Sequence, residues 1–258
     1  MQVRTTTTLV YGFAFPTQVI GKIEAARSSD QRVLSEALSA MPSTELACDT
    51  GPDGERSFRA CLSGEVTISY DAVVDNGTRA LLPSAARQHL WSELPADVLP
   101  YLLPSRFCPS DQFQRFALRE FGQAEDGVAR VMSIMEWINR NVDYVSGVST
   151  AETDAAHTFT VRAGVCRDFT HLGITLCRAL SIPSRAVSAY AVDLQPPDFH
   201  AVMEVFLDNR WWLVDPTRLA PIEGLVRIVH GRDAADLAFL TTHKPCQLIR
   251  QDILAEAI

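Results

Sequence analysis

The stretch that decides the reading is Gly164-Val165-Cys166-Arg167-Asp168-Phe169-Thr170-His171, which runs on into the apolar segment ending at Leu180. Its periodicity predicts a buried helix over residues 165–180, stopped by Ser181-Ile182-Pro183. A cysteine in the first helical turn meets unpaired backbone N–H groups and the positive end of the helix dipole. Both favour the thiolate, which is the nucleophilic form. The same N–H groups suit an oxyanion developing during acyl transfer. Gly164 permits a backbone conformation or a close approach that a side chain would block.

Cys177 makes the useful contrast. It lies about three turns further along the same side, ~16 Å away and beyond disulfide reach. It reads as core filler, as free cysteines commonly do.

A nucleophilic cysteine needs a base, and the base needs an orienting group. His171 sits roughly 140° round the helix from Cys166 and reads as a packed or capping residue. His157 lies in the loop before the helix and stays a candidate. His200 opens an expected strand after Pro196-Pro197-Asp198-Phe199, a place where side chains are presented beside a loop. Asp208-Asn209 reads as a two-residue hairpin turn pairing Leu207 with Arg210. In that register Val202 faces Asp215, which puts Asp215 diagonal to His200 on one face of the sheet. A three-residue loop would send it to the other face. Read alone, Asp215 before Pro216 is a turn former; read with His200, it is the acid that orients the base.

Working outward, residues 1–80 read as β-rich. Val3, Thr5, Thr7, Leu9 and Tyr11 alternate with Arg4, Thr6, Thr8 and Val10, and a second alternating run spans Glu65 to Tyr70. Gly51-Pro52-Asp53-Gly54 reads as the turn of a hairpin between Glu45–Thr50 and Arg56–Leu62, while residues 32–40 suit either strand or helix. These short strands predict a small antiparallel β-sandwich. Five prolines from Pro83 to Pro109 mark residues 81–111 as a linker. Residues 127–141 carry Val131, Ile134, Met135 and Ile138 at helical spacing, and strands are expected over 184–191, 200–207 and 210–214. The predicted class is α+β: an N-terminal sandwich (1–80), the linker, and a catalytic part over 112–258.

The four segments Gly164–His171, Leu180–Arg185, Asp198–Val205 and Arg210–Arg218 together resemble the transglutaminase-like superfamily, most closely its bacterial cysteine-peptidase members. The resemblance extends to Tyr101–Phe107 upstream and Gly231–Asp236 downstream. It implies a papain-like core in which Cys166, His200 and Asp215 form a triad. Cys166 would attack a peptide or glutamine-type amide, and the acyl-enzyme would pass to water or to an amine. Many relatives carry a bulky aromatic where this chain has Val202, a departure that bears on the substrate pocket. For the oxyanion, the Cys166 N–H is one donor, and Tyr144 or Asn141, at the end of the preceding helix, are candidates for the second; either also suits a helix cap.

Composition bounds the alternatives. The chain has 258 residues, 47% hydrophobic and 21% charged, with a net charge of -8. That balance excludes wholesale disorder and argues against a nucleic-acid partner. No apolar run is long enough to span a bilayer, and Met1–Val10 lacks a signal-peptide pattern, so a cytoplasmic protein with six reduced cysteines and no membrane partner is expected. The expected partner is a peptide or protein substrate, with no cofactor or metal. A metal site built from Cys166, His200 and Asp215 is disfavoured by the lack of short Cys-x-x-Cys spacing. The remaining alternative is an inactive binding or scaffolding protein of the same fold. Hydrolysis and transfer share the acylation half, so the sequence does not separate them, and it does not set the oligomeric state.

Overall fold

A computed structural model describes residues 1–258. The front layer is built on two 20-residue strands, β1 (Gln2–Gly21) and β4 (Arg56–Asp75), paired antiparallel and irregular between Phe13 and Thr17. β2 (Arg32–Met41) and β3 (Ala47–Thr50) pair with β4. Thr50 stands opposite Arg56 across the Gly51–Gly54 turn, so the expected hairpin forms and residues 32–41 resolve to strand. Along β1, Val3, Thr5, Thr7, Leu9 and Tyr11 are all buried, the face that the alternation predicts.

The front layer closes differently from the expectation. It is one six-stranded antiparallel sheet, and two of its strands come from the far end of the chain. β11 (Leu240–Thr242) and β12 (Gln247–Ala257) return to pair with β1, so these strands belong to the front layer and not to the part expected over 112–258. The reason is the backbone: the outer edge of β1 is a 20-residue row of hydrogen-bonding groups that is costly to bury unpaired. Its inner face packs on the back part of the chain. Tyr190 stacks on Tyr70 (6.4 Å between ring centroids) and its hydroxyl meets Thr7 Oγ1 at 2.8 Å and the Ile23 carbonyl at 2.7 Å. A single cluster of 47 buried residues runs from Val3 to Ile253 through both parts. The boundary at 80 therefore separates chain segments, not cores.

Residues 81–111 carry only three short 3-10 turns, as the prolines require, but they are pinned along their length. Arg178, buried near the end of α4 (Cys166–Ala179), donates to the carbonyls of Leu103, Ser184 and Arg232 and to Ser105 Oγ. Asp233 accepts from the Phe107 N–H at 2.9 Å.

The back part packs α1 (Gln114–Phe121), α2 (Val128–Asn141), α3 (Ala155–Val161) and α4 beside the sheet β10-β7-β8-β9. These strands are β7 (Ser184–Ala191), β8 (Phe199–Leu207), β9 (Arg210–Val214) and β10 (Leu225–Gly231). A two-residue parallel pair, β5 (Asp143–Tyr144) and β6 (Ala163–Gly164), leads into α4. α4 lies close against β8 because Gly173 has no side chain: a Cβ there would stand 2.7 Å from Met203 Sδ. Thr170 Oγ1 adds a hydrogen bond to the Ala201 carbonyl at 3.0 Å.

Candidate active site

Cys166 is the first residue of α4 and is half-buried. The turn before it is locked by Asp168, whose buried carboxylate accepts the Val165 N–H at 2.8 Å and a hydrogen bond from Ser149 Oγ. Arg167 reaches both Asp168 (3.2 Å) and the Thr150 carbonyl (2.5 Å), tying residues 149–150 to the helix start. Gly164 is required by this packing, since a Cβ there would stand 2.6 Å from the Asp168 Cβ.

The β8–β9 hairpin has the register that a two-residue turn dictates. Leu207 pairs with Arg210 and Met203 with Val214, while Asp208 and Asn209 both take positive φ (48° and 60°), as a type I′ turn requires. His200 and Asp215 consequently share a face, and His200 Nε2 lies 2.9 Å from Asp215 Oδ2 with both side chains buried. Asp215 is held on every side. Oδ1 accepts the Thr217 N–H (2.8 Å) and hydroxyl (2.7 Å), and Oδ2 also accepts the Ala220 N–H (3.2 Å). Asn139 of α2 donates to the Pro216 carbonyl at 2.6 Å, which ties the loop after β9 to the helices.

Electrostatics couple these groups. Burial opposes a charge on His200, but the hydrogen bond to Asp215 and the negative charge of Asp215 and of nearby Cys166 outweigh it and raise its pKa to about 9. Burial also works against the Asp215 carboxylate, yet His200 and Thr217 hold its pKa below the ordinary value. Nε2 is taken by Asp215, and Nδ1 is buried with no hydrogen-bond partner. Tyr144 is pushed up to about 12, by burial first and then by the charge of nearby Cys166. It therefore stays a phenol, able to donate.

The other candidates separate cleanly. Asn141 is exposed and gives its amide to the Trp137 carbonyl one turn back in α2 (2.8 Å), so it caps its own helix and is not drawn to Cys166. His171 is buried, stacks on Phe107 (5.2 Å between centroids) and accepts the Ala234 N–H; burial lowers its pKa to about 4 and keeps it neutral. His157 is exposed on α3. Cys177 and Cys108 are fully buried, which pushes each thiol to about 12, and all six cysteines are free. Val202 is wholly buried against Val187 and Leu213, so the missing aromatic alters the core under the site and not its opening. Asp168, Asn139, Thr170 and Thr217 escaped the sequence reading. Only Asp168 carried a local signal, an acid three residues into a helix.

The chain thus combines a half-buried thiol at a helix start with a buried His–Asp pair on an antiparallel hairpin. Residues 115–216 match the model of the transglutaminase-like superfamily, an interval that contains Cys166, His200 and Asp215. A crystal structure described as a putative cysteine protease from Cytophaga hutchinsonii superposes with a TM-score of 0.94 at 38% identity, over 99% of this chain and 90% of that one. The uncharacterized protein ML0607 of Mycobacterium leprae (strain TN) is 28% identical over 194 residues, 67% of this chain and 66% of that relative's length. The chain belongs to the transglutaminase-like superfamily. No helix is long and apolar enough to cross a membrane.

Proposed function

We propose that this chain is a cysteine-dependent acyl-transfer enzyme acting on peptide or glutamine-type amides through Cys166, His200 and Asp215. The observation that carries the reading is the buried 2.9 Å contact of His200 Nε2 with Asp215 Oδ2, which leaves Nδ1 for the thiol at the start of α4. In this scheme the Cys166 sulfur attacks the amide carbonyl carbon. His200 gives its proton to the departing amine as the C–N bond breaks, and a thioester remains. Water or a primary amine then attacks the thioester, His200 takes the proton released, and the thiol is restored.

Asp215 holds the imidazole in one tautomer and stabilises its charged form. The phenol of Tyr144, beside Cys166, and the Cys166 N–H are the proposed donors to the carbonyl oxygen as it becomes an oxyanion. Six free thiols fit a reducing compartment, and the cytoplasm is the proposed location.

The test is incubation with a peptide library and a labelled primary amine. New peptide termini identify hydrolysis, and incorporated label identifies transfer. Neither product from the native protein, with both also absent at raised enzyme concentration, would leave an inactive scaffold as the better reading.

A further inference from the structure

β12 is an edge strand. It pairs with β1 along one side from Gly12↔Gln247 to Val3↔Ala257, and no strand pairs with its other side. That free side borders a cavity of about 360 Å³. Five consecutive residues of β12, 253–257, line it, so the strand presents its edge to the cavity and not one pleated face. The opposite wall is made by residues 191–195, which leave β7, and by Pro197 and Asp198. Asp198 lies two residues before His200. One of its carboxylate oxygens is fixed by the Phe199 N–H (2.7 Å) and by Gln251 Nε2 of β12 (2.5 Å). The trough thus runs from the open edge of the front sheet to the base of the catalytic hairpin.

Its chemistry is one-sided. Asp193, Asp198 and Glu256 line it and no lysine or arginine does, while Val192, Leu194 and Leu254 supply apolar wall. An acidic rim over an apolar wall suits a side chain with an aliphatic stem and a cationic head. We propose that the free edge of β12 receives the substrate polypeptide as an added antiparallel strand, with a lysine or arginine side chain of that substrate seated in the trough beside Asp198. Main-chain hydrogen bonds to the edge supply affinity that is independent of sequence, and the carboxylates supply the preference. The inference rests on the acyl-transfer reading, because it assigns the substrate that the site would cleave or modify.

The test uses the full-length Cys166→Ala variant, which cannot turn over, and fluorescence anisotropy of dye-labelled heptapeptides. Three are compared: an alanine–valine peptide with one central lysine, the same peptide with glutamate, and the lysine peptide N-methylated at alternate residues. The lysine peptide is expected to bind roughly tenfold tighter than the glutamate one at low salt, with the margin shrinking as salt is raised. N-methylation is expected to weaken binding by roughly tenfold, since each methyl removes an edge hydrogen bond. In Asp198→Asn/Glu256→Gln the lysine preference falls while the sensitivity to N-methylation remains. Equal affinity for lysine and glutamate peptides, or indifference to N-methylation, overturns the proposal. So does a dimer in sedimentation that the peptide cannot displace, because β12 would then pair with a second copy. Iodoacetamide reactivity of Cys166 in the native protein is read in parallel. A reactive Cys166 with no peptide preference sinks the docking proposal alone. An inert Cys166 with the expected peptide binding sinks the acyl-transfer reading and leaves the docking edge standing.

Discussion

His200 Nε2 and Asp215 Oδ2 stand 2.9 Å apart in the core, and Asp215 receives three further hydrogen bonds from Thr217 and Ala220. The carboxylate has no freedom to turn, so it dictates which ring nitrogen of His200 carries the proton toward it. Asp215→Asn preserves the shape but offers a donor where an acceptor is needed. Acylation is expected to fall by about 10²- to 10⁴-fold with the fold intact, measured as single-turnover release of an amide leaving group. A change of less than tenfold would show that Asp215 is only a structural turn former.

Thiol reactivity should divide by setting. Cys166 is expected to alkylate with iodoacetamide much faster than Cys177 or Cys108, whose thiols burial pushes to about 12. Peptide mapping by mass spectrometry after a time course reads all six at once. His200→Ala should slow Cys166 and flatten its pH profile. Equal rates at Cys166 and Cys177 would contradict the site.

The pH dependence has a defined sign. His200 is buried, which disfavours its charge, yet Asp215 and Cys166 hold its pKa up to about 9, against ~6.5 for an unfolded histidine. Stabilisation from the charged pair is therefore complete below ~6.5 and is lost as the pH rises through about 9. The urea midpoint of the native protein should exceed that of His200→Gln most at pH 6, and the margin should shrink by pH 9.5. Acylation should decline over the same alkaline range, as His200 loses the proton it donates. A margin that grows with pH would reverse this assignment.

Gly164 tests the positioning of the helix start. In Gly164→Ala the new Cβ meets the Asp168 Cβ at 2.6 Å, and neither atom is the far end of a flexible side chain. A loss of about 1–3 kcal/mol is expected in chemical denaturation, together with slower alkylation of Cys166. Wild-type values for both would mean that the Asp168 lock does not set the thiol's place.

The shared core predicts shared unfolding. Trp137 and Trp212 report on the back part by fluorescence, and amide hydrogen exchange of β1 and β4 reports on the front sheet. Their urea transitions should coincide, because one buried cluster joins both parts. Two separated transitions would restore the front layer as an independent domain.

Local patterns carried the helix start at Cys166, the register of the β8–β9 hairpin and most of the fold. The helix starting at Cys166 was legible from its apolar run and its Pro183 stop. The His200–Asp215 pairing was legible because Asp208-Asn209 permits a tight turn whose register leaves one partner for each residue. These are short-range consequences of backbone geometry, and a sequence states them directly. Asn141 misled because a polar residue at a helix end serves its own carbonyls as readily as a distant site, and only packing chooses between them.

The closure of the front layer was decided by tertiary structure alone. Residues 247–257 are an exposed strand of mixed polarity, with one fully buried position at Ile253, and nothing local marks them as partners of residues 3–12. What brings them together is the unpaired edge of β1, some 240 residues away in sequence, whose backbone groups must be satisfied. The run around Cys166 thus marked a thiol at the start of a buried helix, and the Asp208-Asn209 turn set His200 beside Asp215. The fold decided what lies beside them: an acidic trough bounded by a strand from the opposite end of the chain.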